Sequence, residues 1–261
     1  MPTTGHPDRA SIAERLHAAG CVYAEEEADL LLATADTRAA LATMVERRLA
    51  GLPLEQVLGW AEFCGLRVPV DAGVFVPRRR TELLVRWAVA LAGPRPTVVD
   101  LCCGSGAVAL AVAASTPPGR LAAVDIDPVA VRCAARNLAA LGAEVYRGDL
   151  FAPLPAAWRG AIDLLLANVP YVPTRAVALL PPEARLHEPS VALDGGPDGL
   201  DVLRRVAAGA GKWLATGGHL LVEVSVDQAE PAAEVFRRAG LTPEVRHAAE
   251  LDATVLTGRA G

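Results

Sequence analysis

Four consecutive residues, Asn168-Val169-Pro170-Tyr171, follow the apolar run Ile162-Asp163-Leu164-Leu165-Leu166-Ala167. A planar amide or aniline-like nitrogen is a poor nucleophile, because its lone pair is delocalised. Two acceptors that bind its two hydrogens orient it and favour a more tetrahedral shape. The side-chain oxygen of Asn168 is suited to be one acceptor and the Val169 carbonyl the other. Tyr171 can pack on the planar group, and an aromatic face also accommodates a nearby cation. Catalysis of this kind works by positioning and requires neither a metal nor a covalent enzyme intermediate. Taken alone, the four residues read equally well as a polar turn after a strand.

A second constellation lies upstream. Val98-Val99-Asp100-Leu101 runs into Cys102-Cys103-Gly104-Ser105-Gly106. Glycines let the backbone turn tightly and let a ligand approach. A helix opening near Ser105 aims its free N–H groups at that ligand. The next strand ends in Asp125, placed to grip a ribose diol. Gly104-x-Gly106-x-x-Ala109 also matches a relaxed dinucleotide fingerprint, so a nicotinamide dinucleotide and S-adenosylmethionine both fit the glycines. Asp100 favours S-adenosylmethionine: it suits an amino group and is awkward beside a pyrophosphate. Asp149, after the third strand, is expected near an adenine.

These groups need a scaffold. Residues 11–50 read as three short helices, expected to pack as a small bundle because none is stable alone. Residues 53–77 read as a β-hairpin linker, with strands at 56–59, 66–70 and 74–76. From residue 81 onward helices and strands alternate: helices at 81–91, 105–114, 128–141, 200–214 and 228–238, strands at 97–101, 121–124, 144–147, 162–167, 219–224, 244–247 and 253–257. The fold class is therefore α/β: a Rossmann-like, doubly wound, mostly parallel seven-stranded sheet. The expected divisions are a helical region at 1–52, the linker at 53–80 and the main domain at 81–261. The Pro-rich stretch 170–189 is too long for a simple connection, and such loops are often functional.

Composition narrows the functions. The formal charge is −5, which argues against a phosphate backbone as partner, although Arg78-Arg79-Arg80 form a local basic patch. The five cysteines include no Cys-x-x-Cys pair, so buried reduced thiols in a cytoplasmic protein are expected rather than zinc. No basic leader with an apolar run and no membrane-spanning stretch is seen. His187 and Glu188 read as loop anchors and His219 as structural. Asp163 is expected to pair locally, and Glu223 to anchor the 168–171 turn.

The chain resembles the HemK/PrmC family of protein-glutamine methyltransferases. The resemblance rests on Arg48-Leu49-Ala50-Gly51-x-Pro53-Leu54, Phe63-x-Gly65-Leu66, Pro77-Arg78-x-x-Thr81-Glu82 and Asp100-Leu101-x-x-Gly104-Ser105-Gly106. Most specific is Glu188-Pro189 with Ala192-Leu193-Asp194-Gly195-Gly196 and Asp198-Gly199-Leu200. It implies a cytoplasmic S-adenosylmethionine-dependent enzyme that methylates the Gly-Gly-Gln glutamine of a peptide chain release factor. It implies that Cys102, Cys103, Gly104, Ser105, Gly106, Asp125, Ile126 and Leu150 line the cofactor pocket, and that Asn168, Val169, Pro170 and Tyr171 hold the glutamine. The family usually has a proline where Val169 stands, which stiffens that turn less here; the carbonyl survives. Arg79 and Arg80 replace a proline and an acid, and the helical N-terminal region is short. These departures imply a divergent paralogue. An adenine-amino methyltransferase acting on nucleic acid and a silent cofactor-binding relative are the alternatives, a dehydrogenase a distant one. A monomer, with no membrane and no nucleic-acid partner, is the simplest expectation.

Overall fold

The computed structural model describes residues 8–261; the first seven residues of the expected helical region, and with them part of the expectation of no leader, lie outside these. Helix α1 (Arg9–Ala18) begins where the Asp8 carboxylate accepts from the Ser11 N–H, an N-cap that satisfies one free donor. Helix α2 (Ala24–Thr34) carries three glutamates in its first turn, and Thr37 caps α3 (Arg38–Leu49). Ile12, Leu16, Leu31, Leu41 and Val45 meet in a small core of their own. Val57 and Leu58 of α4 (Leu54–Leu58) join it.

Helix α4 corrects the strand expected at residues 56–59. Gln56, Val57 and Leu58 are all buried, so the segment has no exposed alternate face, and Gly59 ends it in the left-handed region at φ 81°. The expected hairpin forms just after it: β1 (Trp60–Phe63) pairs antiparallel with β2 (Leu66–Pro69). Residues 74–76 form no strand. Val74 and Val76 are buried around a half-buried Phe75, as the alternation predicts, but side chains take the place of a partner strand. Gln56 Nε2 donates to the Val74 carbonyl and the Val76 N–H donates to Glu188.

The main sheet is built from α5 (Glu82–Leu91), β3 (Thr97–Leu101), α6 (Ala107–Ser115), β4 (Arg120–Asp125), α7 (Pro128–Leu138), β5 (Glu144–Arg147) and β6 (Ile162–Ala167). Two short helices, α8 (Thr174–Val177) and α9 (Pro182–His187), break up the long proline-rich connection. Then follow α10 (Asp201–Ala210), β7 (Leu214–Val224), α11 (Ala229–Arg238), β8 (Leu241–Ala248) and β9 (Ala253–Ala260). The helix expected at 200–214 is shorter than predicted, because Leu214 already opens β7 and pairs with Ile162. The strand order is β5-β4-β3-β6-β7-β9-β8, with only β9 running against the rest. Helices α10 and α11 cover one face with Leu203, Val206 and Phe236. Helices α5, α6 and α7 cover the other with Leu84, Val112 and Leu138. Asp163, expected to cap or pair locally, instead accepts the N–H of Thr97 at the start of the neighbouring strand β3, 66 residues away in sequence. Among the described residues no helix is long and apolar enough to cross a membrane.

Candidate active site

The order of the sheet reverses at β3, whose next strand in sequence, β4, lies on one side and whose other neighbour is β6. Crevices in open α/β sheets form where the carboxyl ends of such strands diverge. Leu101 and Ala167 are register partners, so the Cys102–Gly106 loop and the Asn168–Tyr171 turn leave the sheet side by side. Between them lies a cavity of about 300 Å³.

Asp100 forms part of its wall and is 1% exposed. Burial pushes its carboxyl up to about 7; the Ala109 N–H, donating at 3.2 Å, opposes the shift and the neighbouring Asp125 adds to it. Asp125 ties the loop together, accepting from the Gly104 N–H at 2.8 Å and the Asp127 N–H at 2.9 Å. Burial raises its pKa too, against those two hydrogen bonds. Cys102 and Cys103 are pushed far up by burial, with Asp100 and Asp125 adding to the shift, so both stay neutral thiols. Asn137 holds the loop from α7 by donating to the Ser105 carbonyl at 2.9 Å.

On the other side, Asn168 Nδ2 donates to the Thr81 hydroxyl at 3.3 Å, and the Tyr171 hydroxyl donates to Glu223 at 3.1 Å. Glu223 thus anchors the turn, as expected. Burial raises the pKa of both partners. Val169 and Pro170 complete this wall, and Val169 is 2% exposed. Residues 193–199 cradle the turn from beneath. Val172 and Asp194 form a parallel bridge, and the Val172 N–H donates to the Leu193 carbonyl. Gly199 sits at φ 78°, and a Cβ there would lie 2.2 Å from the Tyr171 carbonyl oxygen. At Gly195 a Cβ would meet the Pro170 oxygen at 2.6 Å. The Asp-Gly-rich pattern, unexplained by generic architecture, is therefore the seat of the 168–171 turn.

The roof comes from the long connection and the linker. Glu188 accepts at 2.7 Å from Arg78 on each oxygen and at 3.1 Å from the Val76 N–H. It is the loop anchor expected of it. Arg78 also lies over the Phe75 ring. Glu183 of α9 accepts from Arg48 at 2.6 Å, and Arg48 forks onto buried Glu27 at 2.6 and 2.9 Å. This guanidinium ties the small helical core to the cavity roof, as Gln56 ties it to the linker at Val74.

Of the residues expected at the site, Asp100, Cys102, Cys103, Gly104, Ser105, Asp125, Ile126, Asn168, Val169, Pro170 and Tyr171 line one cavity. Three do not. Gly106 turns behind the loop toward Leu138, Leu150 is packed in the core, and Asp149 is ion-paired with Arg205 of α10. The sequence did not assign Phe75, Arg78, Thr81, Glu183 or Val191 to the lining. Arg78 and Thr81 stood out only as parts of a motif and, for Arg78, of a basic patch, because their partners lie 110 and 87 residues away.

Fold and site together define a methyltransferase. A family model described as the methyltransferase small domain matches residues 66–181. The chain is 40% identical over 204 residues to the release factor glutamine methyltransferase of Geobacter sulfurreducens, covering 77% of this chain and 71% of that protein. It is 42% identical to that of Mycolicibacterium smegmatis over 77% of this chain and 72% of the relative. Among solved structures, the ribosomal protein L11 methylase of Lactobacillus delbrueckii subsp. bulgaricus shares the fold, with a TM-score of 0.54 at 17% identity over 74% of this chain and 86% of that one. This chain belongs to the release factor glutamine methyltransferase family.

Proposed function

We propose that the protein transfers the methyl group of S-adenosylmethionine to the side-chain amide nitrogen of a protein glutamine, that of the Gly-Gly-Gln motif of a peptide chain release factor. What supports this reading is the joining of the Asp100–Asp125 loop and the Asn168–Tyr171 turn in one cavity. The donor set fits the cofactor. Asp100 is a buried acid on the cavity wall whose one hydrogen-bond donor among the described residues is the Ala109 N–H, so an ammonium group would satisfy it. Asp125 keeps acceptor capacity beyond its two backbone N–H partners for ribose hydroxyls. Ile126, 49% exposed, offers an apolar flank to a base. When bound, the cofactor supplies a methyl group on a positively charged sulfur. Asn168, with its nitrogen turned to Thr81, directs its oxygen to one amide hydrogen, and the Val169 carbonyl takes the other. Tyr171 packs on the amide plane. The neutral thiols of Cys102 and Cys103 do not compete for the methyl group.

The test is transfer of labelled methyl to a purified release factor, beside Asn168→Ala. Label on the Gly-Gly-Gln glutamine, lost in the variant, is the expected result. Tight cofactor binding without transfer to any release factor would overturn the substrate assignment.

A further inference from the structure

The charges that line the cavity are divided between its walls. Asp100, Asp125 and Asp127 stand on the side of the Cys102–Gly106 loop, where a cationic cofactor fits them. The acid of the roof, Glu183, is taken by Arg48. On the side of the Asn168–Tyr171 turn, Arg78 and Arg80 present two guanidiniums. Each is held by a carboxylate with almost no exposure of its own. The Glu188 side chain is 0% exposed against 31% for Arg78, and that of Glu223 2% against 47% for Arg80. This wall therefore shows positive charge and N–H donors, with the counter-ions shielded behind them. Arg78 spends Nη2 on both oxygens of Glu188. Arg80 is held more loosely: its Nε lies 3.6 Å from Glu223 Oε1, and Nη1 and Nη2 meet no acceptor among the described residues.

Glu223 Oε1 also accepts from the Tyr171 hydroxyl, at 3.1 Å. Arg80 and Tyr171 thus meet on one oxygen, and a group bound by Arg80 is a neighbour of whatever the turn holds. A planar guanidinium with both terminal nitrogens unclaimed matches a carboxylate, which takes two parallel N–H donors. Two guanidiniums on the wall of a cavity of about 300 Å³, in a chain of net charge −5, do not make the extended basic stripe that a nucleic-acid backbone requires. We propose that Arg80 is a specificity-determining residue: it binds an acidic side chain that the substrate protein brings beside the target glutamine, with Arg78 adding positive charge to the same wall. This rests on the reading of the Asn168–Tyr171 turn as the holder of the glutamine amide.

The test compares three forms of a release factor, with Glu, Ala or Lys at the residue after the Gly-Gly-Gln glutamine. In the wild-type enzyme the Glu form is expected to exceed the Lys form by about tenfold or more in kcat/KM, through KM, with kcat alike within about threefold. Added salt should erode that preference. Arg80→Gln should bring the Glu and Lys forms within about threefold of each other, and Arg80→Lys, which keeps a cation, should retain their order. Cofactor Kd should change by less than about threefold in both variants, because Arg80 stands across the cavity from Asp100 and Asp125. A wild type that treats the three forms alike would overturn the inference, and that result needs no variant to fold. So would a preference for Glu that survives in folded Arg80→Gln enzyme. If no form of the release factor is labelled, binding of fluorescent Gly-Gly-Gln-Glu and Gly-Gly-Gln-Lys peptides to the cofactor-loaded protein separates the two readings. A preference for the Glu peptide that Arg80→Gln abolishes removes the release factor as substrate and leaves the role of Arg80 standing; equal binding, or none, removes both.

Discussion

Gln228 and Tyr171 are joined by a hydrogen bond from the side-chain amide to the backbone carbonyl, at 2.9 Å, and the same nitrogen reaches the Asp198 carbonyl at 3.1 Å. One amide clips the 168–171 turn to the loop beneath it. Gln228→Ala leaves two carbonyls in a poorly hydrated place, a loss of roughly 1–3 kcal/mol. Thermal melting should show a fall of several degrees. Methyl transfer should fall by more than about tenfold with cofactor affinity kept, since the cofactor loop is untouched. A variant with full activity would show that the clip does not set the turn.

Cofactor binding should depend on pH through Asp100. An ammonium group pairs with the ionised carboxyl, which the free protein reaches only above about 7. Below that pH, Kd should rise about tenfold per unit, and above it level off. Stability of the free protein runs the other way. Unfolded, Asp100 titrates near 3.8, and folded near 7. The folded state therefore holds more protons between those values, so this group's contribution falls as pH rises from about 4 to about 7 and is constant above. Burial shifts Asp125 in the same direction. Calorimetric titration and melting across this range check both, and Asp100→Asn should flatten the two curves. A Kd independent of pH would remove Asp100 from the ammonium site.

Arg48→Ala strands Glu27, which is 8% exposed, as an unpaired charge. Breaking such a buried pair from one side is destabilising by about 3–5 kcal/mol. It also releases Glu183, so limited proteolysis should quicken within residues 174–190. Arg48→Lys should rescue little, because one ammonium cannot fork onto Glu27 and reach Glu183. Denaturant melts decide the point: a loss below about 1 kcal/mol would mean the helical core and the roof are not coupled through Arg48.

Gly199→Ala combines a left-handed backbone, unfavourable for a side chain by roughly 1–2 kcal/mol, with a methyl driven into the Tyr171 carbonyl. The expected outcome is a protein that melts lower by more than the backbone term alone, with methyl transfer lost. Crystallography of a surviving variant should show the 168–171 turn displaced. Near-normal activity would contradict the close seating of that turn.

The sheet was legible because its strands are short runs of Val, Leu and Ala between turn residues. The boundaries of β5 and β6, at residues 144–147 and 162–167, were readable as they stand. Residues 56–59 were misread because a short buried apolar run carries no period that separates strand from helix. Residues 74–76 kept the alternation of a strand, but Glu188 and Gln56 fill its ladder positions, and long-range side-chain partners leave no local trace. At the site, Asp100, Asp125 and Asn168 were readable because each lies at or next to the carboxyl end of a strand. Asp149 looked equivalent; its charge is taken by Arg205, 56 residues on, which no local pattern displays. Thr81 and Arg78 were visible as a motif but without a role, because the role is defined by Asn168 and Glu188.

The close seating of residues 168–171 on Gly195 and Gly199 also sets what can be exchanged between enzymes. Four residues look like a cassette that could be transplanted into any sheet of this kind. Here the cassette has a fitted socket, contributed by a loop that follows 25 residues later and locked by Gln228 from a third segment. A chimera carrying the turn without its socket would place the same side chains on a backbone free to settle elsewhere. The heritable unit of this chemistry is the interlocked set, and its parts can drift only together.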